Sequence, residues 1–182
     1  MKKQLTKTKL KKLLDAYTRE ELTELVCTLY SGSTEASQII DRTFLGDEYS
    51  RQLYEENLKK LNKLISFPGF SRGSMKEAER LLKEFASAGS PADVMRLYVD
   101  YIELCVELDN DFGMDWETLY NSVYRAFDKL AQLALHADPK VIASLQRRLD
   151  LIVEQSSDGY AFRENLQDMM LNSVFSEEPE EM

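Results

Sequence analysis

The chain has 182 residues with 23 basic and 32 acidic side chains, a net charge of −9, and apolar and charged contents ordinary for a globular protein. That length buries a core without staples, and the negative charge argues against nucleic acid as the main partner. No apolar run approaches the roughly 18 residues a membrane helix needs, and no uninterrupted apolar segment follows the lysine-rich start as it would in a secretory signal, so cytoplasm is the expected compartment.

The charge is unevenly spread. Residues 1–12 carry six lysines (Lys2, Lys3, Lys7, Lys9, Lys11, Lys12) and no acid, which leaves 17 basic and 32 acidic side chains, a balance of −15, on the other 170 residues. Such asymmetry marks a possible interaction arm. A short first helix is expected over Leu5–Ala16, with Leu10, Leu13 and Leu14 inward. Its LKKLL also matches an LxxLL partner motif, although leucines at this spacing usually form a core face. Thr18 and Glu21 make a capping box for a second helix through Leu22, Leu25, Val26, Leu29 and Tyr30, ended by Gly32. Ser33 caps a third, with Ile39, Ile40, Phe44 and Leu45 inward and Gly46 at its end. Asp47 caps a fourth, to about Ser66, with Tyr54, Leu58, Leu61, Leu64 and Ile65 on its apolar side.

Phe67-Pro68-Gly69-Phe70-Ser71-Arg72-Gly73 interrupts the pattern with an aromatic loop. Ser74 and Glu77 form a second capping box, starting a helix through Ala78, Leu81, Leu82 and Phe85 to Gly89. Ser90–Gly113 is the clearest helix. Ser90 is its N-cap, Pro91 its first residue, Asp93 faces the positive end of the dipole, and Gly113 supplies the left-handed stop. Val94, Leu97, Tyr98, Tyr101, Ile102, Leu104, Cys105 and Leu108 repeat at three- and four-residue steps, widened by Met95, Val99 and Val106. A helix apolar over most of its circumference is buried. This one is the expected hub, with a narrow polar stripe of Asp93, Arg96, Asp100, Glu103 and Glu107. Asp115 caps the next helix (Trp116 to Ala134), Asp138-Pro139 starts another (Val141 to Val153), Asp158-Gly159 turns, and a last helix runs from Tyr160 to about Leu171. Residues 176–182, SEEPEEM, are expected to be a disordered acidic tail.

No segment alternates with period two. The expected fold is all-α, an irregular antiparallel bundle or a short α-solenoid-like stack of helix hairpins with eight to nine helices, in a single domain over residues 1–175. The order of a lysine-rich start, TREELTELVCTLY, a central SFPGFSRG loop, MKEAERLLKEF, LYVDYIELCVEL and FGMDWETLYNSVYRAFDKL resembles a bacterial domain-of-unknown-function family of small helical proteins. The likeness spans roughly Leu5 to Leu135. It implies a bacterial cytosolic protein with an all-helical fold and carries no activity.

Few residues suggest chemistry. Asp100, Glu103 and Glu107 lie at three- and four-residue steps, where like charges repel. They would hold a divalent cation or meet a basic partner, or else face solvent with Arg96, Arg147 or Arg148 neutralising them. A di-iron bundle is excluded because it needs paired Glu-x-x-His motifs and the chain has one histidine. Asp109-Asn110-Asp111-Phe112-Gly113 superficially resembles a calcium loop, but counted from Asp109 the glycine falls at position five and Tyr120 stands where the bidentate glutamate belongs. His136 lies at a helix C-terminus, where the dipole favours it without catalysis. Gly69 and Gly73 lack the strand and the Lys-Ser/Thr of a phosphate loop. Cys27 and Cys105, both at apolar helix positions, are expected to be core hydrophobes. Phe67, Phe70 and Arg72 are of the residue types enriched at interface hot spots. The expectation is a non-enzymatic protein, without cofactor or membrane partner, that binds another protein or itself through this loop. Two alternatives stand beside it: a regulatory module touching nucleic acid through Lys7, Lys9, Lys11 and Lys12, and a metal-dependent enzyme using Asp100, Glu103 and Glu107.

Overall fold

The computed structural model describes residues 5–113 and 116–176, and the fold is all-α. The helices run in the order α1 (Lys7–Leu14), α2 (Arg19–Gly32), α3 (Thr34–Leu64), α4 (Arg72–Ala88), α5 (Pro91–Phe112), α6 (Glu117–Ala134), α7 (Pro139–Gln155) and α8 (Phe162–Leu171), with a 3-10 turn at Gly159–Ala161. No strand occurs among the described residues. The chain divides into two compact units, Met1–Gly46 and Asp47–Met182.

In the first unit local capping follows the sequence. The Thr6 hydroxyl accepts from the Lys9 amide at 3.3 Å. The Thr18–Glu21 capping box closes reciprocally, at 3.2 Å for Glu21 N–H to Thr18 Oγ1 and 2.7 Å for Thr18 N–H to Glu21 Oε2. The third and fourth expected helices meet without a loop inside α3, at Gly46 (φ 67°, ψ −144°). Glycine takes that backbone because it has no Cβ to clash. Asp47, expected to cap the fourth helix, has its side chain outside the description.

The second unit is built around α5. Ser90, Pro91 and left-handed Gly113 (φ 57°, ψ 49°) delimit it as their chemistry dictates. Twelve of its residues are buried, among them Leu97, Val99, Tyr101, Ile102 and Cys105. Helices α4, α6 and α7 pack against it, and α8 closes on α6 and α7. α4 begins earlier than expected. Ser71 is its N-cap and shares a capping box with Ser74, whose hydroxyl accepts from the Ser71 amide at 2.7 Å. Arg72 and Gly73 are thus already helical, and Ser74 is the third helical residue, not the cap. At the α4–α5 junction a Cβ on Gly89 would lie 2.7 Å from the Phe85 ring, so only glycine fits. The expected cap Asp115 lies outside the described residues; Trp116 occupies the N-cap position of α6 without a side-chain cap. The far end is closed by Phe162 and Phe175, 0 % and 1 % exposed. Phe162 lies 4.5 Å from the Tyr120 ring, and Phe175 meets Phe127 edge-on at 6.1 Å.

Candidate functional site

The acidic stripe of α5 is divided by its neighbours. Asp100, 4 % exposed, accepts from Tyr54 Oη of α3 at 2.6 Å and pairs with Arg148 of α7 at 2.6 Å. The same guanidinium holds Glu103. Only Glu107 is exposed. Burial pushes the Tyr54 phenol above its ordinary value, and the Asp100 charge adds to it. Burial works against the charge on Arg148, but the hydrogen bonds it donates to Glu103 and Asp100 more than offset that. The clamp therefore places one cation where a metal would sit between these carboxylates. No group of three or more His, Cys, Asp or Glu side chains among the described residues is arranged to hold a metal ion. A second relay crosses the core on the other side of α5. Tyr101 and Ser122 hydroxyls lie 2.7 Å apart, Ser122 donates to Glu79 at 2.5 Å, and Arg125 pairs with Glu79 at 2.6 Å.

The two phenylalanines of the aromatic loop have different fates. Phe70 is half-buried and stacks on Trp116 at 5.3 Å. Phe67 is 60 % exposed and stacks at 4.5 Å on Phe112, itself 47 % exposed. Arg72 begins α4 and is exposed. Loop and hub-helix end thus share one open aromatic pair, Phe67 and Phe112. Sequence reasoning saw Phe67 but placed Phe112 only as a residue before the helix stop.

The first unit differs most from expectation. Leu10, Leu13, Leu25, Val26, Leu29, Tyr30, Ile39, Phe44 and Leu45, most of them expected to face inward, are each more than a third exposed, Phe44 by 78 %. Leu5 and Tyr17 join them. No described residue from 5 to 46 is buried, and the half-buried exceptions include Leu14, Leu22 and Ile40. Cys27, expected in the core, is exposed, whereas Cys105 is buried as expected and its thiol is pushed up to about 12 by that burial. The periodicity is real but nothing in these short helices is large enough to enclose it. Tyr30 and Asp41 tie α2 to α3, and the carboxylate raises the phenol's pKa. Lys7, Lys9, Lys11 and Lys12 all lie exposed on α1.

A feature without any sequence signal lies between α7 and α8. Tyr160 (φ 52°) and Ala161 (φ 56°) are consecutive non-glycine residues in the left-handed region, a conformation that costs about 1–2 kcal/mol per residue. Burial of Phe162 offsets that cost, and the same turn carries Tyr160, 72 % exposed, to the rim of a cleft of about 520 Å³. Glu117, Tyr120, Asn121, Tyr124, Tyr160 and Asn165 line it. His136 is exposed just beyond α6.

Comparison with known proteins adds no likeness: no family model, no curated protein and no solved structure matches the chain.

Proposed function

We propose that this protein is a self-association module whose first unit docks against the same unit of a second copy. The observation that carries this is the absence of any buried residue between positions 5 and 46 beside eleven large apolar side chains more than a third exposed. Short helices are marginal in water unless an apolar face is covered. Covering a half-exposed leucine or phenylalanine gains about 1 kcal/mol, so so many together form a strong drive to associate. Monomers rarely leave contiguous apolar faces of this kind open.

Charge favours a second copy as the occupant. Residues 5–46 carry six basic and six acidic side chains, and the two signs are segregated. α1 holds Lys7, Lys9, Lys11 and Lys12 with no acid, whereas α2 holds Glu20, Glu21 and Glu24 against Arg19. A two-fold interface repeats each contact twice. Laying α1 of one copy on α2 of the other pairs opposite charges in both places and brings the apolar stripes together. Residues 47–182 hold 15 basic and 26 acidic side chains and repel their own kind.

Light scattering with sedimentation velocity on the full chain tests this. A dimer is expected that dissociates when Leu25 and Leu29, both already exposed, become glutamate, with helicity unchanged. A monomer at 100-fold increasing concentrations overturns it. A second reading, nucleic-acid contact through the lysines, is supported by their exposure on α1 and requires binding that falls steeply with salt.

A further inference from the structure

We propose that the cleft where α4, α5 and α6 meet is a binding site for a small monocarboxylate with an apolar body. The cleft lies wholly within the second unit and does not depend on the association reading. Its volume is about 280 Å³, at the small end for a ligand pocket. Leu82 of α4, Ala126 of α6 and the ring of Tyr98 on α5 give it apolar walls, each less than a tenth exposed. At the rim stand Lys83 of α4 with Arg125 and Lys129 of α6, all exposed, and half-buried Glu79 is the one carboxylate of the described lining.

The polar groups at the back of the cleft are satisfied, with one exception. The Tyr101 and Ser122 hydroxyls lie 2.7 Å apart, Ser122 donates to Glu79, and Arg125 pairs with Glu79 at 2.6 Å. The exception is Tyr98, which is 7 % exposed and whose hydroxyl makes no hydrogen bond among the described residues. No fully buried side-chain N or O atom among those residues lacks a partner, so the Tyr98 oxygen keeps a path to the surface, and the cleft is the surface its side chain lines. A nearly buried hydroxyl without an acceptor is a standing cost that a ligand oxygen removes. Burial holds the phenol in its neutral, donating form.

The surrounding charge selects an anion. Arg125 is engaged by Glu79, which leaves the two lysines. Lys83 makes no ion pair or hydrogen bond among the described residues, and Lys129 donates only to Gln132 Oε1 at 3.3 Å. Three cations against one carboxylate give the cleft a balance of +2 in a chain of −9, and a local reversal of that kind draws anions. Glu79 beside the rim and the negative charge of the whole chain favour a ligand with one negative charge over one with two.

Titration of the full chain with octanoate, its neutral analogue octanamide and inorganic phosphate, followed by calorimetry and NMR, tests the site. Octanoate is expected to saturate one site with Kd on the order of millimolar, and octanamide and phosphate to bind about tenfold more weakly or not at all. The largest chemical-shift changes are expected at Leu82, Tyr98 and Ala126. Tyr98→Phe removes only an unpartnered hydroxyl, so Tm without ligand is expected to hold while octanoate weakens about tenfold. Lys83→Gln and Lys129→Gln, both at exposed positions, are each expected to weaken octanoate severalfold and to leave octanamide unaffected. Absence of saturation by octanoate, equal binding of octanamide or phosphate, or unchanged octanoate affinity in Tyr98→Phe overturns the proposal.

Discussion

Replacing Arg148 by methionine strips the buried carboxylate of α5 of its counter-charge. Asp100 has a side chain 6 % exposed and keeps only the Tyr54 hydroxyl as a partner, while Glu103, 34 % exposed, can turn toward water. Removing one member of a fully buried pair costs about 3–5 kcal/mol. Arg148 is 33 % exposed and the Tyr54 bond survives, so the cost falls below that range, at about 2–3 kcal/mol. For a chain of this size each kcal/mol moves Tm by about 2–4 °C, which places the fall at roughly 4–12 °C. Urea and thermal unfolding followed by circular dichroism measure it. On the Arg148→Met background, Asp100→Asn removes the stranded charge and is expected to recover most of the loss, a coupling that a double-mutant cycle isolates. A loss under about 0.5 kcal/mol, or no recovery by Asp100→Asn, would refute the assignment of Arg148 as the counter-charge.

Gly89→Ala places a methyl against the buried Phe85 ring at 2.7 Å and is expected to cost about 1–3 kcal/mol; Phe85→Leu on that background relieves part of the loss, and additive losses would contradict the contact. Alkaline pH destabilises the fold. Burial raises the phenols of Tyr54 and Tyr101 above 10.0 and the thiol of Cys105 from 9.0 to about 12. Their neutral forms are favoured in the folded state, so their contribution is complete below pH 9 and is lost as pH rises from about 9 to 12. Tyrosinate absorbance at 295 nm should show both phenols ionising only as the protein unfolds, and their ionisation near pH 10 in the intact fold would contradict this. Mg²⁺, Mn²⁺, Ca²⁺ and Zn²⁺ are expected to leave Tm unchanged because Arg148 already holds Asp100 and Glu103; a cation-dependent rise would restore the metal-enzyme alternative.

What can be read from the chain alone is what neighbours in sequence decide. Ser90, Pro91 and Gly113 define α5 because caps, a fixed φ and a left-handed stop act within one turn, and Thr18–Glu21 caps α2 for the same reason. The apolar breadth of α5 announces its burial, since no solvent-facing helix tolerates it. The start of α4 escaped by one turn because Ser71 and Ser74 are both competent caps and local chemistry ranks them nearly equal.

Tertiary structure decided everything that depends on a partner far along the chain. Asp100, Glu103 and Glu107 look alike in sequence, and only Arg148, about 45 residues on, makes the first two a clamp and leaves the third free. Phe67 finds Phe112 and Tyr160 finds Tyr120 across comparable separations. The same limit explains the first unit. Periodicity states that a face is apolar, but covering it requires another surface, and the sequence of α1 and α2 holds the face without the surface that would close it.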